Sequence, residues 1–362
     1  MDLARELDKN DWDVRFYSWL PTKRTKVFNL PAKCNKSLFG ILWPFIIIGK
    51  LLPKLKWFSS LQLIAQDYIT AFYMRKCDVL IAMSGAFVYS LKRAKKKGAI
   101  IVLERGSKHI LEQKKILESV PALQGKKPVP DIHVKRDLEG YNIADYISIA
   151  SEHVKNSFIA HNYPESRLFV NPYGTSLSHF YPTIKPTSDA YDVIMVGGWS
   201  YRKGCDLIVK AITKLNLRFL HVGGIVDVVF PNDCNFTHID PVDETLLVNY
   251  YAQSKVFVLP SREEGLALVQ AQALTCGLPI VCSKDTGGRD LRSFLDDKKW
   301  IIEMEETNAD CLASSIQLAL QLAESQPQGN RNYAKNALQN LTWAAYGKRY
   351  SDFLHQIIKK DY

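Results

Sequence analysis

Ser261-Arg-Glu-Glu-Gly-Leu-Ala-Leu-Val-Gln-Ala-Gln272-Ala-Leu-Thr-Cys-Gly277-Leu-Pro-Ile-Val281 reads as a strand exit, a glycine turn, an apolar helix, and then Gly-Leu-Pro opening a second buried strand. The strand Val256-Phe-Val-Leu-Pro260 feeds it. The pattern predicts a helix that begins with an acid, Glu264, beside unpaired backbone N–H groups. Such a helix start attracts anions, because free amides and the macrodipole point at whatever sits there. Eight residues at about 1.5 Å each place Glu264 and Gln272 roughly 12 Å apart along that axis.

Outward from this stretch, short apolar strands alternate with helical segments, which predicts parallel sheets with helices on both faces. In the first half the strands read near Val14–Tyr17, Val79–Ala82, Ala99–Leu103, Tyr146–Ile149 and Leu168–Val170. In the second they fall near Asp192–Val196, Arg218–Val222, Phe236–Ile239, Val256–Leu259, Pro279–Cys282 and Trp300–Ile302. Thr183–Asp189, rich in Pro, Thr and Ser, reads as the linker. The expected organisation is therefore α/β, with a first domain over 1–182, a second over 183–345 and a C-terminal helix over 346–362 that returns to the first. Ligands of doubly wound sheets bind at the carboxyl ends of the strands, so the site belongs in the cleft between the two sheets.

Several stretches together carry a family resemblance. Ser261–Val281 resembles the Glu-x7-Glu signature of retaining glycosyltransferases with the two-Rossmann GT-B architecture, glycosyltransferase family 4 in particular. Asn171-Pro-Tyr-Gly-Thr-Ser-Leu-Ser-His-Phe-Tyr-Pro182 resembles the interdomain hinge. Val193-Ile-Met-Val-Gly-Gly-Trp-Ser-Tyr-Arg202-Lys203-Gly204-Cys-Asp206 resembles the first strand and phosphate-binding turn of the donor domain. Thr286-Gly-Gly-Arg-Asp290 follows at the family's distance, and Thr342-Trp343 opens a final helix of the family's kind. The resemblance covers almost the whole chain. One landmark is absent: family members begin with a buried strand and a glycine-rich loop, whereas this chain opens in what should be the following helix, Leu3–Asn10. Either the native protein starts upstream of Met1, the reading favoured here, or the first sheet lacks its central strand.

The resemblance implies transfer of a sugar from a nucleotide diphosphate to an acceptor, and it assigns roles. Arg202 and Lys203 would stabilise the leaving diphosphate, where negative charge grows in the transition state. Many relatives place an Arg where this chain has Gly198, and Arg202 would supply that charge from the other side of the turn; Gly197 and Gly198 would let the backbone approach the nucleotide. Glu264 would contact the donor sugar, with Glu263 the alternative, and the amides of Gly265, Leu266 and Ala267 would help hold the diphosphate. Gln272 stands where the family's second glutamate takes the ribose diol. Exchanging a charged for a neutral hydrogen bond costs roughly 1 kcal/mol, about fivefold in affinity. In the first domain Arg105 and His109 are candidates for sugar or acceptor-phosphate contacts, the alternative being capping or ion pairing within their loop. Ser84 and Gly85 would let an acceptor approach closely. No metal or other cofactor is expected, since cationic side chains do the metal's work. Asp11-Trp-Asp13 matches a metal motif of a different glycosyltransferase fold, but it precedes a first-domain strand and reads as a surface turn.

Charge narrows the partners. Residues 1–182 hold 28 Lys/Arg against 16 Asp/Glu, and residues 183–362 hold 19 against 21, so the net +10 comes wholly from the first half. Residues 14–100 alone carry 16 basic and 2 acidic side chains. Leu38-Phe-Gly-Ile-Leu-Trp-Pro-Phe-Ile-Ile-Ile48 is uncharged and apolar, flanked by Lys33, Lys36, Lys50, Lys54 and Lys56. As a helix it reaches about 18 Å, short of a hydrocarbon core of about 30 Å, and Pro44 should interrupt it. Peripheral contact with an anionic membrane surface and plain core packing both fit; nucleic acid has no motif behind it. The expected acceptor is a lipid-linked saccharide of surface-polysaccharide synthesis (lipopolysaccharide O-antigen or capsule), and the expected location the cytoplasmic face of a membrane. The seven cysteines are odd in number and never form a Cys-x-x-Cys pair, which favours reduced thiols. A sugar-nucleotide epimerase or hydrolase of the same fold, and a non-catalytic partner protein that binds nucleotide sugar, are the rival readings.

Overall fold

The helix α1 (Asp2–Lys9), strand β1 (Phe16–Ser18), helix α2 (Thr22–Lys26), strand β2 (Asn35–Ser37) and helices α3 (Phe39–Leu51) and α4 (Lys56–Tyr73) open the chain. This computed structural model describes all residues except 27, 52–55, 183–190, 296, 326–337 and 361–362, so the linker expected over Thr183–Asp189 lies outside the described residues. A strand–helix alternation follows: β3 (Val79–Met83), α5 (Val88–Lys96), β4 (Ile100–Arg105), α6 (Ile110–Glu118), α7 (Asp131–Ile143), β5 (Tyr146–Ile149), α8 (Glu152–Ile159) and β6 (Leu168–Val170). The second half brings β7 (Tyr191–Val196), α9 (Cys205–Leu215), β8 (Phe219–Val222), β9 (Phe236–Ile239), α10 (Leu247–Ala252) and β10 (Ser254–Leu259). It continues with α11 (Leu268–Thr275), β11 (Ile280–Cys282), α12 (Gly288–Leu291), β12 (Ile301–Glu303), α13 (Ala309–Ser325) and α14 (Trp343–Lys360).

All strand pairs are parallel, as alternation with helices requires. The first domain's main sheet runs β3-β4-β5-β6, and the second domain's runs β12-β11-β10-β7-β8-β9. In the latter the chain lays β8 and β9 on one side of β7 and β10 to β12 on the other. The order therefore reverses between β7 and β10, which opens a crevice at their carboxyl ends. Strands β1 and β2 form a separate two-stranded sheet, and among the described residues no strand joins it to β3.

Two cores hold the halves. Ile101, Leu103, Ile147 and Phe158 centre the first, and Val193, Ile194, Phe257, Val258 and Ile280 the second, all fully buried. The last helix closes the molecule: Tyr346 and Tyr350 of α14 donate from their hydroxyls to Glu104 of β4 at 3.0 and 2.6 Å. Burial outweighs those bonds and raises the Glu104 pKa. The segment Asn171–Pro182 lies against the start of α14, where a Cβ on Gly174 would sit 2.5 Å from the Trp343 backbone. Only glycine fits there.

Two local expectations are corrected. Helix α3 runs through Pro44 and does not end there, although the proline has no N–H to give to the Gly40 carbonyl one turn back. Helix α11 starts at Leu268, so Glu264 lies in the preceding loop and the spacing to Gln272 is not that of one helix.

Candidate active site

Strands β7 and β10 end side by side, and the turns that follow them meet. After β7 the chain makes the turn Gly197–Gly204 before α9. Gly204 takes φ +72, and a Cβ there would lie 2.2 Å from the Pro260 carbonyl at the exit of β10. This contact aims Arg202 and Lys203 at the loop Ser261–Ala267. Arg202 Nε donates to Glu263 Oε2 at 3.0 Å and to the Glu263 carbonyl at 3.1 Å, and Arg202 Nη2 reaches Glu264 Oε1 at 3.4 Å. Lys203 Nζ pairs with the other carboxylate oxygen of Glu264. Burial opposes the Arg202 charge, but the carboxylates of Glu264 and Glu263 outweigh it and raise the guanidinium's pKa. The sequence thus brings Arg202, Lys203 and Glu264 together as expected.

The first domain seals this cluster from the opposite side. Glu263 is fully buried, and its Oε1 accepts from the Lys108 amide at 3.0 Å while Oε2 accepts from Gln113 Nε2 at 3.0 Å. Lys108 Nζ pairs with Asp285 at 2.7 Å. Ser151 Oγ donates to the Gly265 carbonyl at 2.8 Å, and His153 Nε2 bonds the Glu264 carbonyl at 2.7 Å. A Cβ on Gly265 would fall 2.2 Å from the Gly106 carbonyl, so the two lobes touch backbone to backbone there. Sequence reasoning set Glu263 second to Glu264 and missed Lys108, Gln113, Ser151 and His153. Their only signal is spatial: Lys108 and Glu263 are 155 residues apart.

Other expected residues take different roles. His109 is only 4% exposed and turns into the first domain, its ring against Tyr141, Phe158 and His161. Its Nδ1 caps α6 by accepting from the Leu111 amide, which is the capping alternative in place of a sugar contact. Burial, reinforced by His161 and Arg105, lowers its pKa to about 4. Arg105 is consumed within its loop: Nε and Nη2 donate to the Lys108 carbonyl, Nη2 to Gln113, and Nη1 lies 3.4 Å from both Asp137 and Ser84. It therefore shapes the loop that carries Lys108 instead of facing a ligand. Gly85 takes φ +73 at the exit of β3, where a Cβ would press on Asp137 at 3.1 Å.

In the second domain, Gly197 carries φ +133, and its carbonyl accepts from His221 Nε2 at 2.8 Å. Gly198 lies beside Val226. The Ala267 amide is engaged by the Thr286 carbonyl at 3.4 Å and Leu266 is buried, so of the three expected amides Ala267 has its own partner. Gln272 is 4% exposed; its Nε2 donates to Glu244 Oε1 at 2.8 Å and its Oε1 accepts from the Tyr251 hydroxyl at 3.3 Å. A carboxylate, that of Glu244 on the turn before α10, thus lies directly beside Gln272. Asp11 to Asp13 form a turn after α1 at the surface, with Trp12 Nε1 bonded to Ser351.

Residues 190–321 match the family model described as Glycosyl transferases group 1. The chain is similar to a phosphatidylinositol N-acetylglucosaminyltransferase component of Arabidopsis thaliana, 21% identical over 65% of this chain and 55% of that protein. It is also similar to the GDP-mannose-dependent alpha-(1-6)-phosphatidylinositol monomannoside mannosyltransferase of Mycolicibacterium smegmatis, 24% identical over 59% and 63%. The matches thus take in little more than half the length of these curated relatives. Among solved structures, sucrose-phosphate synthase from Thermosynechococcus elongatus superposes with a TM-score of 0.65 at 17% identity, covering 99% of this chain and 92% of that one. Anabaena HepE in complex with UDP and glucose does so with a TM-score of 0.64 at 12% identity, covering 98% and 95%. The fold is the two-domain GT-B architecture.

Proposed function

We infer that this chain, whose second domain belongs to the group 1 glycosyl transferases, moves a sugar from a nucleotide diphosphate to an acceptor hydroxyl with retention of configuration. The observation that carries the reading is the convergence of Arg202, Lys203 and Glu264 at the crevice between β7 and β10. Two cations beside one turn meet the charge that develops on a departing diphosphate. In the free protein Glu264 neutralises them. A bound diphosphate would compete for Lys203 and release Glu264 toward the hydroxyls of the donor sugar. With two cationic side chains in place, no metal is needed to stabilise the leaving group. Gln272 with Glu244 would hold the ribose diol, and the Ser84–Gly85 turn at the end of β3 would border the acceptor.

For the acceptor we favour a lipid-linked saccharide in surface-polysaccharide synthesis, such as lipopolysaccharide O-antigen or capsule, taken from the cytoplasmic face of a membrane. The basic excess of the first half supports it, and the two curated relatives carry phosphatidylinositol in their names. Screening labelled UDP- and GDP-sugars for slow hydrolysis identifies the donor. In the productive assay Lys203→Ala lowers turnover by about two orders of magnitude or more while the melting curve is kept. Near-normal turnover in that variant removes the phosphate assignment.

A further inference from the structure

Helices α3 and α4 leave a broad apolar surface uncovered by the other described residues. Trp43, Ile47 and Ile48 of α3 and Leu61, Tyr68 and Phe72 of α4 are each at least 40% exposed, Phe72 to 69%. On α4 the exposed positions are spaced by seven and four residues, so they form one stripe. The opposite side of α4, with Asp67 and Thr70, is buried. Between Phe39 and Gly49, and between Trp57 and Tyr73, Asp67 is the single charged residue. It points inward, to Arg136 at 2.6 Å and to the amides of Tyr89 and Ser90. Scattered exposed apolar residues are ordinary, but six such side chains on two adjoining helices mark an interaction surface.

The surroundings choose the occupant. Arg75 and Lys76 follow α4 directly, and Arg93 and Lys96 lie on α5, which packs against α4, beside Lys92 and Lys95, which are paired with Glu139 and Asp145. An uncharged aromatic and aliphatic centre with a rim of cations is complementary to an anionic bilayer, whose acyl boundary takes the centre and whose headgroups take the rim. Among the described residues no helix is long and apolar enough to cross a membrane. The surface is also tied to the cleft. Tyr68 stacks on Tyr89 with ring centres 3.8 Å apart, and Arg136, held by Asp67, donates to the Gly85 carbonyl at 2.7 Å. A rigid chain of contacts thus joins α4 to the Ser84–Ala86 turn.

We propose that α3 and α4 together lie in the headgroup region of an anionic bilayer and hold the Ser84–Ala86 turn at the membrane surface. The purpose of this docking rests on the lipid-linked acceptor reading, but its test does not. The full chain is sedimented with vesicles of phosphatidylcholine alone and with phosphatidylglycerol-rich vesicles. Wild type binds the latter. Ile47→Glu and Phe72→Glu each weaken that binding about tenfold or more, with unchanged melting because both side chains are exposed. The proposal is overturned if wild type ignores phosphatidylglycerol, if both glutamate variants bind as wild type does, or if ultracentrifugation shows a dimer that they dissociate. No turnover enters the readout, so failure of the transferase reading leaves the result intact, and the converse also holds.

Discussion

Arg202 of the turn after β7 forms an ion pair with the buried Glu263 of the loop after β10, Nε to Oε2 at 3.0 Å, and the same carboxylate accepts from Lys108 and Gln113 of the other lobe. One side chain therefore links the orientation of the Arg202 guanidinium to the approach of the two domains. Opening the cleft would separate Glu263 from both first-domain donors while leaving Arg202 attached.

Replacing Glu263 by Gln keeps the shape and removes the charge. A hydrogen bond to a charged partner contributes about 1.5–3 kcal/mol, so turnover on the nucleotide sugar should fall about tenfold to a hundredfold. Small-angle scattering of the same variant should show a more open molecule. Unchanged turnover together with unchanged dimensions would contradict the link.

Gly265→Ala tests closure without touching a charge. The added methyl meets the Gly106 carbonyl 2.2 Å away, a contact between lobes and not within one. Each lobe should fold as before, so the melting temperature changes by only a few degrees while the radius of gyration rises and turnover drops at least about tenfold. A variant as compact and as active as wild type would show that the lobes need not meet here.

The pH dependence of stability should carry the signature of buried histidines. His109 and His221 both have their pKa lowered from 6.5 to about 4, by burial first and next by His161 for His109; for His221 burial overrides the bond to Gly197. A depressed histidine pKa means that the unfolded chain binds more protons between these values. Their contribution is complete above pH 6.5 and is lost as the pH falls toward about 4. For each ring the full loss is at most about 3 kcal/mol. His109→Asn should flatten urea-midpoint curves across that window even if it lowers them throughout. A curve of unaltered slope would count against the buried neutral ring.

What could be read from residue order was whatever depends on local pattern. Apolar runs of three to five residues separated by helical stretches gave both main sheets, because a strand buried on both faces must be apolar throughout, whereas the polar strand Asn35–Ser37 that pairs with β1 carried no such signal. The strand–turn–helix pattern around Arg202, Lys203 and Glu264 placed them together, because parallel strands bring their carboxyl ends to one edge. Residue order misled where the partner came from elsewhere in the chain. His109 looked like a cleft residue from its loop, yet the aromatic pocket that receives it is built from α7 and α8 and the turn that follows. Gln272 looked like a weakened ligand until Glu244 appeared beside it.

The sequence by itself determined the two parallel sheets, the order of their strands along the chain and the three residues of the candidate phosphate site, since hydrophobic period and turn chemistry are local quantities. Only the tertiary structure decided that Glu263 is the buried member of the Glu263–Glu264 pair, that Arg105 and His109 serve their own lobe, and that α4 turns an uncharged stripe outward. Each of these depends on which surfaces meet, and burial of a charge or an apolar face is a property of two surfaces brought together, not of either alone.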